Sequence, residues 1–194
     1  MSSQAIRQSA ERLRPQRVFL IAGLPILVIG GMAIAYLFAK PATAGLNAVI
    51  SVVSRAYPDV PGITATNLYE WLGNESREQP ILLDVRTAEE FEVSHLDGAM
   101  RVEPEVEIAQ LPPSITPDKP ITLYCAVGYR ASELANRMIE AGYAQIYNLS
   151  GGIYQWANLD LPMSNDSGEI ADTVVPANPR SGRLLKPERR AILR

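Results

Sequence analysis

An α/β domain built on a central parallel sheet, preceded by one membrane-spanning helix, is the fold class this sequence predicts. Three observations carry the prediction. Short apolar runs at Ile81–Val85, Ile121–Tyr124 and Ile146–Leu149 have the length and continuity of strands buried on both faces. Stretches of helical periodicity separate them, and strands alternating with helices imply parallel pairing with helices on both sides of the sheet. Upstream, no charged residue occurs from Val18 to Ala39. At about 1.5 Å per residue that run reaches roughly 33 Å, enough to cross a hydrocarbon layer of about 30 Å.

The 194 residues divide into five pieces. Residues 1–17 are a polar arm with Arg7, Arg12, Arg14 and Arg17 against Glu11. Residues 18–39 are the spanning helix, interrupted by Gly23, Pro25 and Gly30-Gly31, and Lys40-Pro41 ends it. The competing reading is a cleaved leader ending in Ala42-Thr43-Ala44, but leader cores are shorter, about 7 to 15 residues, so a retained anchor is favoured. The arginine excess puts the N-terminus in the cytoplasm and the rest of the chain across the membrane, on a periplasmic or lumenal side. Residues 40–62 hold a juxtamembrane amphipathic helix, with Leu46, Val49, Ile50, Val53 and Tyr57 at helical spacing, and then a stiff Pro58–Gly62 linker.

Residues 63–162 carry the globular domain. Thr64 or Thr66 caps a helix containing Leu68, Tyr69, Trp71 and Leu72. After the Ile81 strand come a short helix over 88–93 and a strand over 99–102. The Glu- and Pro-rich section 103–119 is irregular, with one brief helix. The Ile121 strand leads to a helix over 131–141, with Leu134, Met138 and Ile139 inward and Gly142 as its stop. The Ile146 strand, Gly151-Gly152 and a helix bearing Ile153 and Trp156 complete the domain. Trp71 and Trp156 are expected in the core and in helix packing. From Met163, Ser, Asn, Asp, Gly and Pro accumulate and periodicity fades. Residues 163–194 therefore read as a flexible tail, basic through Arg180, Arg183, Lys186, Arg189, Arg190 and Arg194.

The net charge of −3 is segregated: basic ends flank an acidic middle. With no aromatic interleaving in the basic stretches and no nucleic-acid module, a nucleic-acid partner is not expected. One Cys and one His exclude an intramolecular disulfide and a cysteine-rich zinc site, so neither a structural metal nor a cofactor is expected.

That one cysteine, Cys125, stands where a buried strand enters the tight loop Ala126-Val127-Gly128-Tyr129-Arg130 and then a helix. Loop amides, a helix N-terminus and a guanidinium converge on one sulfur there, and all three favour negative charge. A thiol so placed is expected to be reactive and to hold an anionic adduct. The plainer alternative is a small buried residue at a strand end, which gives no packing reason for Gly128 and Arg130.

Three motifs resemble those of rhodanese domains, in order and at ordinary spacing over about residues 63–162. Ile81-Leu82-Leu83-Asp84-Val85-Arg86 with Glu89-Glu90-Phe91 and Ser94-His95-Leu96-Asp97-Gly98-Ala99 resembles their first signature. Cys125 through Arg130 is similar to their active-site loop. Tyr147-Asn148-Leu149-Ser150-Gly151-Gly152, with Trp156 and Leu161-Pro162, resembles their last strand and helix.

The resemblance implies a three-layer fold and a sulfurtransferase, in which Cys125 takes sulfane sulfur from a small donor such as thiosulfate. It holds the sulfur as a persulfide and passes it to a thiol or protein acceptor. The amides of Ala126, Val127, Gly128, Tyr129 and Arg130 would cradle the terminal sulfur, and Arg130 would bind the anionic donor group. Asp84 and Arg86 would support the pocket. Phosphatases of the same architecture place the arginine six positions after the cysteine. Arg130 comes five after, which suits a sulfur better than a tetrahedral oxyanion. Ala126 and Val127 leave Arg130 as the one cation of the loop. His95 is expected to pack in its turn rather than act as a base. Tyr129 is expected to face solvent as part of an acceptor or partner surface. The alternative function is a slow or inactive docking module tethered at the membrane, since fold alone does not determine activity.

Overall fold

The computed structural model describes residues 42–192. The predicted basic arm (1–17) and spanning helix (18–39) lie outside the described residues. Among those described, no helix is long and apolar enough to cross a membrane.

Five parallel strands form one sheet: β1 (Gly62–Ile63), β2 (Ile81–Asp84), β3 (Met100–Arg101), β4 (Ile121–Tyr124) and β5 (Ile146–Leu149), in spatial order β1-β5-β4-β2-β3. The helices are α1 (Ala42–Ala56), α2 (Ala65–Leu72), α3 (Ala88–Val93), α4 (Tyr129–Glu140) and α5 (Gly152–Asn158). Residues alternate across β4, as a pleated strand requires. Ile121, Leu123 and Cys125 join a core with Leu134, Ala135 and Met138 of α4. Tyr124 faces the opposite core, with Leu68 of α2 and Ile153 and Trp156 of α5. Both layers expected around the sheet are therefore present.

Local chemistry accounts for the helix boundaries. The Thr64 side chain accepts from the Asn67 amide at 3.2 Å and caps α2. Thr87 and Glu90 form a reciprocal capping box on α3. Gly142 follows α4 at φ 93°, a left-handed turn that ends a helix with little strain. The section 103–119 is irregular around one short 3₁₀ turn, Ile108–Gln110.

Two flanking segments differ from expectation. The predicted juxtamembrane helix exists, but its apolar face is spent on the domain: Leu46 and Val53 are buried. The predicted linker after it is not merely a spacer either. Val60 is buried, and Gly62–Ile63 becomes strand β1, pairing with Asn148 and Leu149.

The predicted flexible tail is the larger correction. Ser164 bridges back to His95, Val174 pairs with Arg190, and Val174 and Leu185 are fully buried. Asn158 accepts from the Lys186 amide at 2.8 Å and donates to the Leu184 carbonyl at 2.8 Å. A low-periodicity segment is ordered here by tertiary contacts that sequence composition does not register.

Asp160 joins tail to domain, with Lys186 at 2.9 Å and Arg189 at 2.7 Å. Hydrogen bonds from those two cations hold its carboxyl below the ordinary aspartate value of 3.8. A depressed value means the contact is complete above that pH and is lost as pH falls through the folded value. Asp160→Ala is expected to speed trypsin cleavage after Arg189 severalfold while barely moving the melting temperature; the Lys186-Pro187 bond resists trypsin in either protein. Digestion at neutral pH checks this.

Candidate active site

The register of the sheet sets the site. Asp84 pairs with Tyr124, so β2 and β4 end side by side and deliver Arg86 and Cys125 to the same rim of the sheet. The loop after Cys125 closes at Gly128, which caps α4 at φ 100°. There the Gly128 N–H donates to Cys125 Sγ at 3.1 Å. A side chain at 128 would bear on Asn148 Nδ2 at 3.0 Å, so glycine is required both by conformation and by space.

Asn148 holds the other side of this turn. From β5 its Nδ2 donates to the Gly128 carbonyl at 3.2 Å and to Ser132 Oγ at 2.7 Å. Sequence reasoning assigned no role to Asn148 or Ser132. The available signal is an amide side chain inside the otherwise apolar run Ile146–Leu149.

The N-terminus of α5 fastens the loop from behind. Ile153 N–H donates to the Cys125 carbonyl at 2.9 Å and Tyr154 N–H to the Ala126 carbonyl at 3.1 Å. These peptides are trans, so the N–H groups of Ala126 and Val127 point away from α5. Among the described residues, the amides of Val127, Tyr129 and Arg130 have no backbone or side-chain acceptor, which leaves them free for an anion.

Gly152 makes the attachment possible. At φ 56°, a Cβ there would lie 2.2 Å from the Cys125 carbonyl oxygen and 2.6 Å from that of Ala126. Gly152→Ala is expected to destabilise the fold by about 2–4 kcal/mol and to displace the loop, as urea unfolding and Cys125 reactivity would report.

Arg130 does not close the ring around the sulfur by a hydrogen bond. Its Nη2 lies 3.3 and 3.5 Å from the two oxygens of Glu90 on α3. The guanidinium also borders a cleft of 290 Å³ lined by Pro104, Glu105, Glu133 and Arg137. Cys125 itself is only 1% exposed. Beside it, Tyr129 is half-exposed and meets Tyr57 edge-on, with ring centroids 5.5 Å apart. The neighbouring Tyr129 hydroxyl pushes the Tyr57 phenol up to about 12.

Residues 64–159 match the family model of the rhodanese-like domain. The chain carries a rhodanese-like domain. It is 39% identical over 75 residues to an uncharacterized Bacillus subtilis protein, YqhL, a match covering 39% of this chain and 59% of that protein. It is 33% identical over 105 residues to the probable adenylyltransferase/sulfurtransferase MoeZ of Mycobacterium tuberculosis, covering 52% of this chain and 25% of that one. A tRNA uridine(34) hydroxylase of Salmonella newport matches at 28% over 110 residues, covering 51% and 31%. The chain thus spans under two thirds of each of these relatives.

The solution structure of the rhodanese-like domain of Anabaena Alr3790 covers 61% of this chain and 86% of that domain, at 24% identity and a TM-score of 0.51. The crystal structure of the Bacillus halodurans BH2092 protein covers 69% and 98%, at 20% identity and a TM-score of 0.54. Both show the fold.

In this rhodanese-like domain the pair Asp84–Arg86 lies beneath the site, fully buried. Arg86 Nη2 is 2.7 Å from Asp84 Oδ2, and Nε is 3.0 and 3.1 Å from the two oxygens. The same arginine donates to the Ser94 carbonyl. Burial works against its charge, but Asp84, by proximity and hydrogen bonding, more than restores it. Burial likewise pushes the Tyr124 phenol well up, so it remains a neutral hydroxyl accepting from the Leu96 amide at 3.1 Å. His95 is taken up by structure: its ring stacks on Phe91 at 3.9 Å and its Nδ1 lies 3.0 Å from the Phe91 carbonyl. Among the described residues, no cluster of three or more His, Cys, Asp or Glu could hold a metal.

Proposed function

We propose that this chain is a membrane-anchored sulfurtransferase that carries sulfane sulfur as a persulfide on Cys125. The observation supporting it most is the 3.1 Å hydrogen bond from the Gly128 amide to Cys125 Sγ, within a loop whose further amides lack acceptors. The sulfurtransferase named among its relatives supports the same reading.

In the first half-reaction the Cys125 thiolate attacks the outer sulfur of the donor. A new S–S bond forms, the donor's own S–S bond breaks, and the leaving group (sulfite, if the donor is thiosulfate) departs with the electron pair. The negative charge now rests on the terminal sulfur, where the loop amides and the N-terminus of α4 favour it. In the second half an acceptor thiolate attacks that sulfur and Cys125 leaves as a thiolate.

The anchor belongs to the same proposal. An uncharged run from Val18 to Ala39 behind four arginines supports a single span, with the rhodanese-like domain on the periplasmic or lumenal side. The acceptor would be a thiol or a protein. A nucleic acid is disfavoured by the acidic middle of the chain.

The test is mass analysis of the full chain in detergent after incubation with thiosulfate. A gain of one sulfur on Cys125 is expected. No gain with any sulfane donor would refute the enzyme. A docking module is the second reading, favoured by the burial of Cys125 and the engagement of Arg130 by Glu90. Equal transfer rates for the wild type and Cys125→Ser would select it.

A further inference from the structure

Resting on the sulfurtransferase reading, we propose that Glu90 sets the charge of the sulfur donor. The site takes a zwitterionic, amino-acid-like persulfide in preference to a dianion such as thiosulfate.

Arg130 is the one cation that the cysteine loop supplies, and it is already paired. Glu90 is 5% exposed and is held at both ends. Its Oε2 accepts from the Thr87 N–H at 3.1 Å, while its own N–H donates to Thr87 Oγ1 at 3.3 Å. A carboxylate pinned by a capping box cannot swing away when an anion arrives, so it is a fixed part of the site's charge.

The cleft beside Arg130 extends the pattern. Arg137 donates to the carbonyls of Val106, at 2.9 Å, and Pro104, while Glu105 and Glu133 line the same space. Two guanidinium groups thus stand against the three carboxylates of Glu90, Glu105 and Glu133. Arg86 adds no net charge, since the buried Asp84 cancels it. Such a site repels a dianion. A ligand bearing both signs fits it: its carboxylate can share Arg130 while its ammonium meets Glu105 or Glu133.

The transfer itself needs no oxidant. The Cys125 thiolate attacks the outer sulfur of R–S–SH, the new S–S bond forms as the old one breaks, and R–S⁻ leaves with the electron pair. The transferred sulfur keeps its oxidation state, and its proton passes to the departing R–S⁻, so the terminal sulfur again carries the charge.

The experiment loads the full chain from thiosulfate and, separately, from cysteine persulfide, and quantifies Cys125 persulfide by mass. The wild type is expected to load faster from the zwitterion. Glu90→Gln keeps an acceptor for the Thr87 amide but removes the charge. It is expected to raise the thiosulfate rate about tenfold and to change the cysteine persulfide rate by less than about twofold.

Because Cys125 is the only thiol, its alkylation gives a readout independent of sulfur transfer. The ratio of iodoacetate to iodoacetamide rates is expected to rise about threefold in Glu90→Gln. It should also rise in the wild type between about 0.01 M and 1 M salt, as the screening length falls from about 30 Å to 3 Å. The salt arm decides the matter should Glu90→Gln fail to fold. A ratio that ignores both the variant and the salt overturns this inference alone, even if persulfide forms. A chain that takes sulfur from neither donor overturns the sulfurtransferase reading, and this inference with it.

Discussion

Cys125→Ser is expected to abolish sulfur retention and to lower transfer by about a thousandfold or more, since the hydroxyl that replaces the thiol cannot form the covalent carrier. The fold should survive. A serine Oγ can accept the same Gly128 amide that the sulfur accepts at 3.1 Å, so no buried donor is orphaned. The loss of a small apolar group costs on the order of 1 kcal/mol. Intact-mass analysis after donor treatment, beside a melting curve shifted by only a few degrees, would separate chemistry from stability. Appreciable transfer by the serine variant would mean that another group carries the sulfur.

Asp84→Ala is expected to be the most damaging single change to the fold. It leaves the fully buried Arg86 guanidinium without its carboxylate, and breaking a buried pair in this way costs about 3–5 kcal/mol. Against a typical total of about 5–15 kcal/mol for a domain, the variant should be largely unfolded near physiological temperature. The cost is one of stranded charge rather than lost contact. Pairing Asp84→Leu with Arg86→Met, which removes both charges, should therefore recover more than half of the loss. Urea titration of the single and double variants tests this. A double variant as unstable as Asp84→Ala would indicate that the charges themselves matter less than their hydrogen bonds to Ser94 and the Arg86 amide.

How much of this was legible in the sequence follows the range over which each feature is determined. The strands β2, β4 and β5 announce themselves because burial on both faces writes a continuous apolar run. Strand β1 does not: two residues, one of them glycine, carry no pattern, and only pairing with Asn148 and Leu149 makes them a strand. The amphipathic helix α1 was visible as periodicity, but periodicity is silent about what covers the apolar face. Likewise the loop sequence locates Arg130 without aiming it. Its guanidinium is directed by Glu90, which lies 40 residues earlier and is itself positioned by the α3 capping box. The order of the tail is hidden from the sequence because its buried apolar side chains, Met163, Val174, Val175 and Leu185, are too irregularly spaced for a period and gain order only on meeting the domain.

The packing of α1 and the tail has a practical consequence for dissecting the protein. Residue Gly45 of α1 comes close to Leu184, and Leu46, Val174 and Leu185 share one core with Ile153, Tyr154 and Trp156. A fragment trimmed to the homologous boundaries, 64–159, would lose all five of those flanking residues, and β1 as well. It would present a naked apolar flank and an unpaired margin along β5, both of which invite self-association. Inactivity in such a fragment would report faulty trimming rather than absent chemistry.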